Sequence, residues 1–225
     1  MEKIKTETNK IISCILFTAG MDSTVAAHYS KNVLGYETVA LTLKQNDLNK
    51  KEVEYSKKMT RFLGIKHFIY DITNYSNFIQ HTVTNSCGYK EGNKKDIEEN
   101  FIENRNAIFA LIAHSLVQKI MKEGDFKNGK VMLGLLSIDP EYPDSNFRFF
   151  QSLSDSLNIG VLHGNVDIQV PLYDYSKEDI YNYLIENDIP LKLTWSCNTN
   201  NEIPCGECFG CTQRNKLNRE LNIKI

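Results

Sequence analysis

Residues 11–24, IISCILFTAGMDST, constrain the fold more than any other stretch of this chain. An apolar, β-branched run over residues 11–17 stops abruptly at Thr18-Ala19-Gly20, and a helical segment opens at Asp22. A strand, a tight turn of small residues and a helix N-terminus aim backbone N–H groups at one spot. The helix dipole makes that spot favour an anion, and small residues let it come close to the backbone. Ser23 and Thr24 add hydroxyl donors, and Asp22 can hold a Mg²⁺ or cap the helix. Taken alone, the pattern also fits an ordinary strand–helix turn in which Asp22 is only the cap. It is not a Walker loop, because no Gly-Lys-Ser/Thr follows.

The second feature lies at the other end, where Cys197, Cys205, Cys208 and Cys211 are separated by seven, two and two residues. Two-residue gaps suit thiolates set around one tetrahedral ion, and a structural zinc is the first reading. Pro204 and Gly206 help the chain turn about it. Disulfides and an iron–sulfur cluster are the rivals. Residues 1–10 are charged and polar with no hydrophobic signal segment, so a reducing cytoplasm is expected rather than a disulfide-forming compartment. Cys14, inside the first strand, reads as a small core residue. Cys87 falls in a polar loop, where a surface thiol and a reactive one look alike.

Composition bounds the rest. With 225 residues, 41% hydrophobic and 24% charged, the chain has the makeup of an ordinary soluble protein able to bury a core without staples. No apolar run reaches the ~20 residues that span a bilayer. A net charge of −2 gives no global footprint for nucleic acid. Lys50, Lys51, Lys57, Lys58 and Arg61 are interleaved with Glu52 and Glu54 and read as a solvated helix face.

Strand and helix signals alternate along the chain. Residues 36–43, 66–72, 130–136 and 166–170 read as strands two to five. Helical stretches are expected at 22–33, at about 47–63 closed by Gly64, at 101–121 ended by Gly124, and at 145–157. Ser176 opens a further helix to Asn187, with Asp179 in a capping-box position. Residues 84–96, rich in turn-formers and charge, are expected to form a loop. This order implies an α/β, Rossmann-like parallel sheet with right-handed crossovers and helices on both faces. Ligands of such sheets bind beyond the carboxyl ends of the strands. The 18–24 loop, the segment after Leu43 and residues 137–144 should therefore ring one crevice. The expected division is a domain over 1–190 and a cysteine tail over 191–225.

Residues 18–23 resemble the pyrophosphate loop, Ser-Gly-Gly-x-Asp-Ser, of ATP-pyrophosphatases of the PP-loop (HUP) class, which cleave ATP to AMP and pyrophosphate. Thr18 replaces Ser and Ala19 replaces the first Gly, so the turn must tolerate a Cβ. With a tail reading Cys-Gly-x-Cys-x-x-Cys-x-x-Arg, the whole of residues 11–215 resembles the 7-cyano-7-deazaguanine synthase (QueC-like) family. Further matches are Arg105-Asn106, where the family has Pro-Gly-Arg-Asn, and Tyr142-Pro143-Asp144, where it has Gly-Tyr-Pro-Asp-Cys-Arg. Pro171-Leu172 with Lys177, and Arg214 behind the last cysteine, also match.

The resemblance implies ATP, Mg²⁺ and Zn²⁺. Phe17, Thr18, Ala19, Gly20, Met21, Asp22, Ser23, Thr24 and Asn106 would hold the nucleotide. Asp22, Ser23, Arg105 and Asp47 would act in catalysis, and Tyr142, Asp144 and Arg148 would meet the substrate. The four tail cysteines would hold the zinc. Without the family pattern, Arg105 is a helix-surface charge and Asp144 a helix cap. The implied reaction adenylates the carboxylate of 7-carboxy-7-deazaguanine and passes it to ammonia, giving the amide and then the nitrile. A homodimer is implied as well.

The chain departs from the family at three places. Tyr-x-Gln-Arg/Lys-His after the second strand has become Gln45-Asn46-Asp47-Leu48-Asn49. Pro-Gly has become Glu103-Asn104, and Cys-Arg has become Ser145-Asn146, with Arg148 near enough to compensate. ATP and metal positions are kept better than acyl-substrate positions, which points to retained adenylation with an altered acceptor or second step. A close alternative is a paralogue that conjugates the deazaguanine to a protein amine, as in an anti-phage defence system. A tRNA-thiolating PP-loop enzyme is another, disfavoured by the charge of −2 and the four-cysteine tail. A non-catalytic, zinc-stabilised binding module is the third, disfavoured by intact Asp22 and Ser23.

Overall fold

A computed structural model describes residues 10–45, 49–78, 102–137, 142–221 and 223. In chain order its elements are β1 (Ile11–Leu16), α1 (Met21–His28) and a wider π turn (Tyr29–Val33), then β2 (Glu37–Lys44), α2 (Lys50–Leu63), β3 (Lys66–Asp71) and α3 (Thr73–Phe78). After these come α4 (Arg105–Glu123), β4 (Asn128–Met132), a 3₁₀ turn (Pro143–Ser145), α5 (Phe147–Ile159) and β5 (Asn165–Gln169). The chain closes with α6 (Lys177–Glu186), a 3₁₀ turn (Leu191–Leu193) and α7 (Phe209–Glu220).

The strands form one parallel sheet in the order β3-β2-β1-β4-β5. β1 is central, with Cys14 level with Val39 of β2 and Val131 of β4. Its side chains alternate between two cores, as the pleat requires. Ile12 and Cys14 pack with Ala110, Ala113 and Val117 of α4 and Phe150 of α5. Ile15 and Phe17 pack with Val25 of α1, Met59 of α2, Ile180 and Leu184 of α6 and Leu217 of α7. Helices therefore cover both faces, and the α/β parallel sheet expected from the sequence is the fold. Burial pushes the Cys14 thiol up to about 12, as suits an inert core residue.

The chain winds outward from β1 through β2 to β3, then returns to add β4 and β5 on the other side of β1. The strand order reverses between β1 and β4. In open sheets of this kind that reversal, at the carboxyl ends of the strands, is where ligands bind.

Several boundaries differ from the sequence reading. β4 ends at Met132, whereas residues 130–136 were expected as strand. The apolar run continues because the loop after the strand is itself buried, with Leu133 and Leu136 almost fully covered. The short helix α3 and the last helix α7 were not expected. Their sequences, TNYSNF and FGCTQRNKLNRE, bury only Ser76 in the one, and Cys211 and Leu217 in the other, too few for an apolar period. The helix from Ser176 is as expected. The Asp179 N–H donates to the Ser176 hydroxyl, and the Ser176 N–H donates back to the Asp179 carboxylate at 2.8 Å. Asp47, Cys87 and the 84–96 loop lie outside the described residues. Among the described residues no helix is long and apolar enough to cross a membrane.

Candidate functional site

The 18–23 loop leaves β1 at the switch point. Phe17 is still core, its carbonyl accepting from the Thr42 hydroxyl at 2.7 Å. Ala19 has φ +57, the left-handed conformation expected of the glycine it replaces. The sequence reading asked for a turn that tolerates a Cβ; the structure has instead a left-handed one, at a cost of about 1–2 kcal/mol for a residue with a Cβ. Gly20 is the N-cap of α1 and makes no side-chain cap hydrogen bond, so the helix start is not closed by its own cap, as suits a helix N-terminus that attracts an anion. Ser23 is buried and closes the loop from within, its hydroxyl donating to the Gly20 carbonyl at 3.1 Å and accepting from the Thr18 N–H at 3.4 Å. Met21 and Thr24 face the interior. Thr18 is exposed.

Three distant segments hold this loop. Gly134, in the loop after β4, lies so near the start of α1 that a Cβ on it would sit 2.7 Å from the Asp22 carbonyl carbon and the Ser23 nitrogen. Lys177, the first residue of α6, donates to the Asp22 carboxylate at 2.9 Å, both side chains about a quarter exposed. The Trp195 N–H donates to the Ala19 carbonyl at 2.9 Å. Lys177 had appeared in the sequence only as part of a family resemblance, and Trp195 not at all; both lie more than 150 residues from the loop, beyond any local signal.

A second cluster gathers at the start of α4. The Asn106 N–H donates to the buried Asp144 carboxylate at 3.0 Å, and its side-chain amide donates to the Asp144 carbonyl at 3.1 Å and the Ser145 hydroxyl at 3.0 Å. Asn106 thus spends its side chain on positioning Asp144. Burial raises the phenol pKa values of Tyr75 and Tyr142, and the Arg105 charge beside both opposes the rise. Asn104, which stands where the resembled family has Gly, has φ +58; Asn is among the side chains best able to take that conformation. Arg148 is exposed on the first turn of α5, apart from these contacts.

After β2, Asn49 is buried and ties the strand end to α2. Its side-chain oxygen accepts from the Gln45 N–H at 2.9 Å, and its nitrogen donates to the Leu43 carbonyl at 2.8 Å and the Glu52 carboxylate at 3.3 Å. Burial pushes the Glu52 carboxyl up to about 7, against the Asn49 hydrogen bond.

Among the described residues, Cys197, Cys205, Cys208 and Cys211 form the group able to hold a metal, with every Sγ within 4.8 Å of the others. Sγ separations of 3.6, 3.9 and 4.0 Å match the ~3.8 Å between thiolates placed about 2.3 Å from a tetrahedral ion. Backbone N–H groups of Thr199 and Cys205 point at Cys197 Sγ, that of Asn198 at Cys208 Sγ, and that of Cys208 at Cys205 Sγ, at 3.3–3.4 Å. Burial would raise the Cys197 thiol, but these donors and the Thr199 hydroxyl outweigh it and bring it down to about 6. Four thiols at these separations are a donor set that fits zinc. Gly210 is required here, since a Cβ would stand 1.8 Å from the Ser196 carbonyl oxygen.

With this geometry in view, comparison with known proteins is decisive for the family. The profile of "Queuosine biosynthesis protein QueC" matches residues 12–222. The chain belongs to the QueC family. It is 33% identical over 215 residues to the 7-cyano-7-deazaguanine synthase of Campylobacter fetus subsp. fetus, covering 93% of each chain. It is 29% identical over 214 residues to that of Caldicellulosiruptor saccharolyticus, covering 93% of this chain and 92% of the other. Membership gives the loop and the cysteine tail one common context, that of a synthase family. The NMN synthetase structure from Francisella tularensis aligns at TM-score 0.48 and 14% identity, covering 97% of this chain and 79% of that one, too loosely to bear on chemistry.

Proposed function

We propose that this QueC-family chain adenylates the carboxylate of 7-carboxy-7-deazaguanine with ATP and transfers the acyl group to ammonia. The observation that carries the reading is the uncapped N-terminus of α1 at the sheet's switch point, with Asp22 and Lys177 at its mouth. A carboxylate is a poor acyl donor because oxide would have to leave. Its attack on the α-phosphorus of ATP forms a mixed anhydride with AMP and releases pyrophosphate. The backbone of residues 18–23 and the Lys177 ammonium stabilise the charge that grows on the leaving pyrophosphate. Asp22, an oxygen ligand at the mouth of this cradle, suits Mg²⁺, which when bound neutralises phosphate charge. Ammonia then attacks the acyl carbon, and AMP leaves to give the amide.

Arg105, Tyr142 and Asp144 take the deazaguanine end, with Asn106 fixing Asp144. The zinc, held by Cys197, Cys205, Cys208 and Cys211, shapes the wall and takes no part in bond making. The proposed boundary between a nucleotide domain and a zinc-binding segment stays at 190/191.

Nitrile formation needs a second adenylation, on the amide oxygen, and removal of the amide protons. Asn49 stands where the family has an imidazole, and it is buried and committed to Gln45, Leu43 and Glu52. The amide is therefore a substantial product, and the same site accepts a protein amine as an alternative nucleophile. Product mass and ATP stoichiometry separate these outcomes. One ATP per product marks the amide, two mark the nitrile, and a mass increment on a partner chain marks conjugation.

A further inference from the structure

We infer that Trp195 is a positioning residue through which the cysteine centre and the 18–23 loop are energetically coupled. The inference rests on the nucleotide reading of that loop. Ala19 holds a left-handed conformation that a residue with a Cβ keeps only when its surroundings impose it. Part of that imposition is the Trp195 N–H, 2.9 Å from the Ala19 carbonyl oxygen. Trp195 stands two residues before Cys197, the first of the four thiols.

The segment around it is seated from three sides. The Trp195 ring, only 4% exposed, lies against Tyr55 of α2 with centroids 4.8 Å apart. The Arg214 guanidinium on α7 donates to the Thr194 carbonyl at 3.1 Å and the Leu191 carbonyl at 2.6 Å. On the α2 side, the Lys51 N–H donates to the Asn200 side chain at 3.1 Å, and the buried Lys51 ammonium pairs with Glu202 at 2.7 Å. Asn200 and Glu202 lie in the 197–205 loop, which has no helix or strand of its own. The four thiols are what close that loop onto α7. A metal gathering them fixes the backbone at residues 195–197, and so fixes the donor on which the Ala19 turn leans. A nucleotide that selects the same turn must, by linkage, favour the metal-loaded arrangement to the same degree.

The full-length, zinc-loaded protein tests this with α,β-methylene-ATP and Mg²⁺ as probe. Zinc transfer to a chromogenic chelator should slow about fivefold or more with the nucleotide bound, and the metal-stripped protein should bind the nucleotide weaker by a similar factor. Trp195 is the only tryptophan in the chain, so its emission should report both events. Trp195→Ala should keep one zinc yet lose about tenfold in nucleotide affinity, and Trp195→Phe, which can still stack on Tyr55, should restore it. If Trp195→Ala does not fold, Lys51→Met loosens the loop from the other side and should lower affinity by a smaller factor in the same direction. Zinc transfer indifferent to bound nucleotide, or a folded Trp195→Ala with wild-type affinity, overturns the coupling. Failure of the zinc-loaded wild type to bind the nucleotide at all overturns instead the reading of the loop.

Discussion

The 18–23 loop and the cysteine centre are both short in sequence, yet they are held in opposite ways. The cysteine centre takes its four thiols and its backbone donors, from residues 198, 199, 205 and 208, out of one short stretch of chain, even though Lys51 and Arg214 seat the segment around it. The loop borrows its shape from Gly134 behind it, Lys177 beside it and Trp195 above it. A self-contained site fails when its own residues change. A borrowed one also fails when remote residues change, and that difference can be broken by substitution.

The largest effect should come from the loop's own charge. Asp22→Ala should lower AMP and pyrophosphate production by about 10²-fold or more while melting near the wild-type temperature. Unchanged turnover would reduce the loop to a structural turn. Next is the cysteine centre: Cys205→Ser should lose the metal and about 3 kcal/mol or more of stability, a fall of about 6–12 °C in Tm, read by elemental analysis and calorimetry. A full complement of zinc in this variant would contradict the four-thiolate set. The sharpest test of borrowing is Gly134→Ala, whose methyl would collide with the Asp22 and Ser23 backbone. It should cost about 1–3 kcal/mol and reduce ATP turnover while leaving zinc content unchanged. A neutral Gly134→Ala would show that the loop stands alone.

The smallest effect lies at the start of α2. Burial holds the Glu52 carboxyl up at about 7, against 4.5 for the free group, with the Asn49 hydrogen bond opposing the rise. The folded state thus holds a proton that the unfolded chain has lost, and stability declines as pH rises through that window. Glu52→Gln should gain about 1–2 kcal/mol at pH 8 and almost nothing at pH 5, measured by denaturant melts. An equal gain at both pH values would contradict the burial of that carboxyl.

Much of this was legible in the residues because it is local. The strand–turn–helix at 11–24, the capping box at Ser176 and the spacing of the cysteines each lie within a few residues of chain. Hydrophobic runs located the strands but placed the end of β4 too late, because a buried loop is as apolar as a strand. The polar helix α7 left no periodicity to find. Harder still were pairings between distant residues. The sequence offers Asn106 and Asp144 as separate positions and gives no sign of the hydrogen bonds by which the fold joins them. At Ala19 and Asn104, side chains stand where the resembled family has glycine, and the backbone is in the left-handed region that glycine takes most freely at both. The residue types there, Ala and Asn, did not announce a left-handed backbone.

The most direct measurement of the central claim is mass spectrometry of a reaction containing the zinc-loaded protein, 7-carboxy-7-deazaguanine, ATP, Mg²⁺ and ammonium. The account predicts AMP and pyrophosphate formed only when the deazaguanine is present, with the amide accumulating ahead of any nitrile. Formation of ADP, or AMP release that ignores the deazaguanine, would contradict it. Rapid and complete conversion to the nitrile at two ATP per product would contradict the role given to Asn49.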